Sequence, residues 1–172
     1  MRKCQLSLLI LALPAVASLA IAQSGKEGSG SAASTQAQAA HMVVTPDKLK
    51  WGPAPPGLPP GAQLAVLEGD PSKSGAHFAF RAKLPDGYKV PPHWHPTDER
   101  IVVLQGTLGM GTGEKFDPAS GHELPAGSYS VLPTAVRHFV WAKGETVIQV
   151  SAIGPFEITY VNSADDPRKT PK

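Results

Sequence analysis

The sequence predicts an all-β domain, a barrel or sandwich of about eight short strands, behind a flexible N-terminal tether. Three observations predict it. Apolar and polar residues alternate in short runs bounded by turn residues. No window of about 12 residues in the domain keeps a helical period. The 172 residues also include 17 glycines and 18 prolines, which disfavour long helices.

The chain opens Met1-Arg2-Lys3, runs apolar from Leu6 to Ile21, and offers a small-x-small site at Ala20-Ile21-Ala22 before Gln23. A basic start, a brief apolar run and such a site describe a secretory signal peptide over residues 1–22. The run is short for a membrane span and Pro14 interrupts it, so no membrane insertion is expected after cleavage. The expected location is periplasmic or secreted. The sole cysteine, Cys4, lies within the signal, so the mature protein would have neither a disulfide nor a thiolate ligand. Removing Arg2 and Lys3 from the 16 basic residues leaves as many as the 14 acidic ones. A neutral chain without a basic run argues against nucleic acid as a partner.

Residues 23–42, dominated by Gly, Ser, Ala, Gln and Thr, read as a flexible linker that cannot bury enough apolar surface to order itself. The domain is placed at 43–162, with a C-terminal tail at 163–172. Its Pro-rich lead, up to Gly61, should be extended or turning, with Trp51 packing it onto the barrel. Strands are then expected at 62–68, 76–84, 99–106, 107–110, 128–132, 136–142, 146–151 and 156–161. In the second of these Phe78, Phe80, Ala82 and Leu84 share one face, and His77, Arg81 and Lys83 the other. Pro85-Asp86-Gly87 reads as a turn, and Lys143-Gly144-Glu145 as a tight hairpin.

The chemistry lies in Pro91-Pro92-His93-Trp94-His95-Pro96-Thr97-Asp98-Glu99. Alternate residues of a strand share a face, so His93 and His95 aim two imidazoles at one place. Glu99 has the same parity, with Pro96 a candidate break in the strand between them, and Trp94 has the opposite one. Imidazole with carboxylate suits zinc, manganese, iron, nickel or copper. A third imidazole could come from His41, His77, His122 or His138, of which His138 opens an apolar strand. An isolated His-x-His is a weak signal, met more often by coincidence or as surface decoration than in a metal site.

The longer pattern is specific. From Gly87 to Gly106 the chain reads Gly-x5-His-x-His-x3-Glu-x6-Gly, which resembles the first motif of the cupin superfamily at every fixed position. Gly127, Pro133 and His138 fit the second motif, Gly-x5-Pro-x-Gly-x2-His-x3-Asn, with Ala135 in place of its second glycine and Ala142 in place of its asparagine. The alanine at 135 keeps a small residue, and the asparagine is not a ligand in the family. The chain looks like the single-domain, exported bacterial cupins. The resemblance implies a double-stranded β-helix, or jelly-roll barrel, over residues 43–162. It implies that His93, His95, Glu99 and His138 hold one divalent transition metal ion (Fe, Mn, Ni, Cu or Zn) with positions left open for a small-molecule ligand or substrate. Many cupins are dimers, so a homodimer is a further expectation.

If Glu99 faces inward, so should Ile101 and Val103, and Val140 should follow His138, with Phe139 and Trp141 turned away. Phe80 and Arg81 are candidate wall or rim residues. Asp98 is a candidate partner for a ligand imidazole, or else a turn cap. The leading functional expectation is a metal-dependent, dioxygenase-like enzyme acting on a small organic molecule. The alternative is a non-catalytic cupin that binds or senses a small ligand. A sugar isomerase is disfavoured by the apolar pocket.

Overall fold

The computed structural model describes residues 41–169. The expectations for the signal peptide, for Cys4 and for all but the end of the linker lie outside these residues. The described part is built of strands: β1 (Gly52–Pro53), β2 (Gln63–Glu68), β3 (His77–Leu84), β4 (Lys89–Trp94), β5 (Glu99–Thr112), β6 (His122–Pro125), β7 (Tyr129–Leu132), β8 (His138–Ile153) and β9 (Thr159–Tyr160). Its only helical elements among the described residues are three short 3-10 turns.

All strand pairs are antiparallel, and β5 and β8 tie them into one curled sheet. Each of these two strands serves both layers of the barrel. The first half of β5 lies between β7 and the second half of β8, which pairs with β3; β3 pairs with β2, and β2 with β1. The second half of β5 lies between β6 and the first half of β8, which pairs with β4 and then β9. This is the jelly-roll arrangement expected from the motifs.

The bend between the layers corrects the expected hairpin at Lys143-Gly144-Glu145. Residues 138–143 do not fold back on 146–153. They continue as one strand, because β5 runs beside both halves and pairs Leu108 with Ala142 and Val103 with Ile148. Gly144, at φ 74°, marks a corner inside β8, facing Gly106 of β5, at φ 72°, where the pairing register slips. A Cβ at Gly106 would lie 2.4 Å from the Glu145 carbonyl oxygen, so the corner closes only on a glycine. The two strands expected at 99–106 and 107–110 are likewise the single strand β5.

The interior fills by alternation. On β3, Phe78, Phe80, Ala82 and Leu84 are buried, while Arg81 and Lys83 are half-buried on the outer face. They join Ile101, Val103 and Leu108 of β5 and Val140, Ile148 and Val150 of β8 in one core. Burial of each large apolar side chain contributes roughly 1.5–3 kcal/mol. Phe139 and Trp141 do turn away from that core, as their parity requires. Phe139 is nevertheless fully buried, because Phe116 folds over it at 5.0 Å between ring centroids.

The Pro-rich lead packs on both sides of the barrel. Trp51 lies on the outer face, with the Lys83 ammonium 4.8 Å from its ring centroid. Beyond it the segment 54–60 crosses the barrel mouth as a strap. The Tyr88 hydroxyl donates to the Pro59 carbonyl at 2.6 Å, and the buried Tyr160 hydroxyl donates to the Gly57 carbonyl at 2.8 Å. Prolines 55, 56, 59 and 60 carry no N–H, so the strap covers an apolar interior with few donors left to satisfy.

Candidate metal centre

The site forms where the two layers face each other. His93 sits near the end of β4 directly opposite His138, the first residue of β8, so adjacent strands bring their rings to 4.1 Å between centroids. His95 lies in the loop after β4. Glu99 opens β5 in the other layer, opposite Leu132 of β7. For Glu99, convergence therefore does not come from parity along one strand: the break foreseen at Pro96 is present. Pro96 ends the strand, and the chain crosses the barrel between His95 and Glu99.

The nitrogen atoms of His93, His95 and His138 that could ligate a metal all lie within 4.8 Å of one another, and all three residues are buried. Glu99 completes the group. Its Oε2 lies 3.6 Å from His95 Nε2 and 3.4 Å from His138 Nε2. The expected set of four is thus together, whereas His41, His77 and His122 are exposed elsewhere.

Each imidazole is aimed by a backbone carbonyl. His93 Nδ1 donates to Pro91 O at 2.7 Å, His95 Nδ1 to Glu157 O at 2.7 Å, and His138 Nδ1 to Val136 O at 3.0 Å. A carbonyl only accepts, so in a neutral ring Nδ1 holds the proton and Nε2 presents its lone pair. Phe156 stacks on the His95 ring, 4.2 Å away and nearly parallel, and fixes its plane. Asp98 has no part in this. Its carboxylate accepts from the Thr134 amide at 2.9 Å and hydroxyl at 3.0 Å, which ties down the turn leading to His138. That contact, with Arg100 also near, holds the Asp98 carboxyl below the usual range.

Burial holds His93 well below the ordinary histidine range, and the neighbouring His138 and His95 add to the effect. Burial likewise lowers His95, against an opposing pull from Glu99. With Nδ1 given to the Glu157 carbonyl, His95 turns Nε2 towards Glu99 Oε2, and that oxygen is buried with no hydrogen-bond partner. An orphaned buried carboxylate oxygen is costly unless a cation faces it. Three nitrogen donors and one carboxylate around one point fit a divalent transition metal ion.

The centre opens on a cavity of about 420 Å³ lined chiefly by apolar side chains. Phe80, Ile101 and Val140 line it as expected. Val103 does not. It faces inward and is buried, but nearer the bend at Gly106, where it packs into the core and the opposite Ile148 forms the wall. Arg81 does not either. Strand alternation turns it to the outer face, where it lies 3.4 Å from the Gln149 side chain in a shallow groove beside Trp51. The mouth is made by parts that the sequence reading leaves out of the pocket: the strap from Pro55 to Leu58, then Phe156 to Ile158, and Arg168 from the tail. Arg168 is held by Asp166 through Nε–Oδ1 at 2.7 Å and Nη2–Oδ2 at 2.9 Å. Only the tyrosines and the tail's Asp-x-Arg hint at this in the sequence.

Residues 34–159 match a protein family described as Domain of unknown function (DUF4437). Over 88 residues, or 51% of this chain, the sequence is 31% identical to human 2-aminoethanethiol dioxygenase. The matched stretch spans 31% of that protein's length. Among solved structures, the polyketide cyclase RemF of Streptomyces resistomycificus matches with a TM-score of 0.60 at 20% identity, over 74% of this chain and 90% of that one. An RmlC-like cupin of Shewanella frigidimarina matches with a TM-score of 0.52 at 12% identity, over 66% and 91%. At these identities the structural matches speak for the fold, which is that of the cupin superfamily.

Proposed function

The chain belongs to the DUF4437 family, and on that footing we propose that it is a metal-dependent, dioxygenase-like enzyme acting on a small apolar molecule outside the cytoplasm. His93, His95, His138 and Glu99 are its metal ligands in this reading. The observation that carries it is the buried, unpartnered Glu99 Oε2 facing three anchored imidazoles at the end of an apolar cavity. These four residues would hold a divalent ion at the end of the cavity, where it would supply Lewis-acid or oxygen-activating chemistry beside a substrate. The partial likeness to 2-aminoethanethiol dioxygenase supports oxygen chemistry.

The chain's own residues supply position and dryness. The carbonyls of Pro91, Glu157 and Val136 hold the three rings in place. Phe80, Ile101, Val140 and Phe156 surround the substrate with apolar surface, and the strap excludes water above it.

The test is oxygen uptake by protein loaded in turn with iron, copper, nickel and manganese, against a panel of apolar thiols, 1,3-diketones and phenols. Uptake that needs both metal and substrate, and is lost in His95→Ala, is the expected result. One equivalent of bound metal with no turnover across the panel, but thermal stabilisation by a ligand, would replace the enzyme with a binding or sensing cupin. Export is tested by the mass of the mature protein, which should begin at Gln23.

A further inference from the structure

We infer that the cavity selects a substrate that meets the metal through a single negative charge, on an otherwise apolar body: a thiolate, an enolate, a phenolate or a monocarboxylate. This rests on the reading of the four residues as a metal centre and adds the charge of what binds there.

The argument is one of charge balance in a dry site. Imidazoles ligate as neutral groups and a carboxylate as an anion, so a divalent ion held by His93, His95, His138 and Glu99 leaves a net charge of about +1. The interior offers nothing to offset it. Apart from the four candidate ligands, the only charged side chains lining the cavity among the described residues are Glu157 and Arg168. Glu157 is exposed, where water screens it. Arg168, also largely exposed, is neutralised locally by the bidentate contact with Asp166. A buried charge without a partner is strongly disfavoured. A ligand group of charge −1 brings the centre to zero, a neutral group leaves it at +1, and a dianion drives it to −1.

Hydrogen bonding narrows the class further. The hydroxyl of Tyr88, which lines the cavity, and that of Tyr160 are already given to the Pro59 and Gly57 carbonyls of the strap. A sugar or a phosphate ester would find few partners for its oxygens against these walls, and its unpaired groups would count against binding.

The test uses the full mature protein loaded with cobalt(II), without oxygen, so that the visible spectrum of the metal reports ligation and no turnover is needed. Benzamide, benzoate and phenylphosphonate share one ring and, at pH 8, carry none, one and close to two negative charges. Benzoate is expected to change the cobalt spectrum and to bind about tenfold or more tightly than either of the others. Benzyl mercaptan, neutral in solution, should release about one proton as it binds, read by calorimetry in two buffers of different ionisation enthalpy. Phenylphosphonate binding as tightly as benzoate, benzamide matching it, or a thiol binding with no proton released would each overturn the inference. Benzoate leaving the spectrum of bound cobalt unchanged would overturn it while the metal centre stands. Failure to take up one equivalent of cobalt would overturn both.

Discussion

Glu99 Oε2 stands 3.4 Å from His138 Nε2, and no hydrogen bond reaches that oxygen. A buried carboxyl oxygen without a partner, beside three imidazoles anchored through Nδ1, is a group that a bound cation would satisfy. The protein without metal should carry a cost there that the metal-bound protein does not.

Glu99→Gln separates the two states. In the metal-free protein it should raise stability, by about 1–2 kcal/mol, because it removes a buried carboxylate with no partner. In the presence of metal the sign should reverse, since the native protein gains binding energy that the variant lacks. Urea unfolding with and without a chelator measures both. A variant less stable than the native protein in both conditions would argue that Glu99 is held for packing alone.

Acid should unfold the metal-free protein early. Burial lowers the folded-state pKa of His93 and His95 below the ordinary value of about 6.5. Below that value the unfolded chain binds protons that the folded one refuses, so stability is full above it and falls as pH drops towards the folded pKa values. The slope should reach about 1.4 kcal/mol per pH unit for each of the two histidines. Denaturant midpoints at pH 7.5 and pH 5.5 give the slope, and replacing both residues by glutamine should flatten it.

Ala135 is the one non-glycine residue with positive φ among the described residues, at 62°, and its amide donates to the His95 carbonyl at 3.0 Å. The second motif of the superfamily has glycine at this position. The requirement there is a left-handed backbone and not merely a small side chain. Ala135→Gly should therefore stabilise the fold by about 1 kcal/mol, with metal content unchanged, as read by thermal unfolding and elemental analysis. An unchanged or lowered melting temperature would mean that the strain is relieved in some other way.

The strap should depend on its tyrosines. Tyr160→Phe leaves the Gly57 carbonyl without its buried donor and should cost about 1–3 kcal/mol. Hydrogen exchange should locate the loss. The Leu58 amide, which closes the strap's own turn onto the Pro55 carbonyl, should exchange faster while amides of β5 and β8 keep their protection. Faster exchange throughout the barrel would show a core defect instead.

The sequence by itself determined the all-β class, the motif that brings His93, His95, Glu99 and His138 forward as candidates, and the alternation of faces along β3, β5 and β8. These are local matters. Spacing along the chain and alternation within a strand decide them, and both are written in order of residues. The tertiary structure decided what depends on partners remote in sequence. It made Lys143-Gly144-Glu145 a corner rather than a hairpin, because β5 pairs with both halves of β8. It put Arg81 on the outer face and Val103 in the core rather than on the cavity wall. It gave the His95 imidazole to the carbonyl of Glu157, 62 residues away, although the carboxylate of Asp98 was the nearer candidate in sequence. It also closed the mouth with a strap tied to β9, about a hundred residues away, through Gly57 and Tyr160. A backbone carbonyl has no signature in the side-chain sequence, and a strand's second neighbour is chosen only when the sheet curls. For that reason the candidate residues could be read from the chain, but the surroundings that orient them could not.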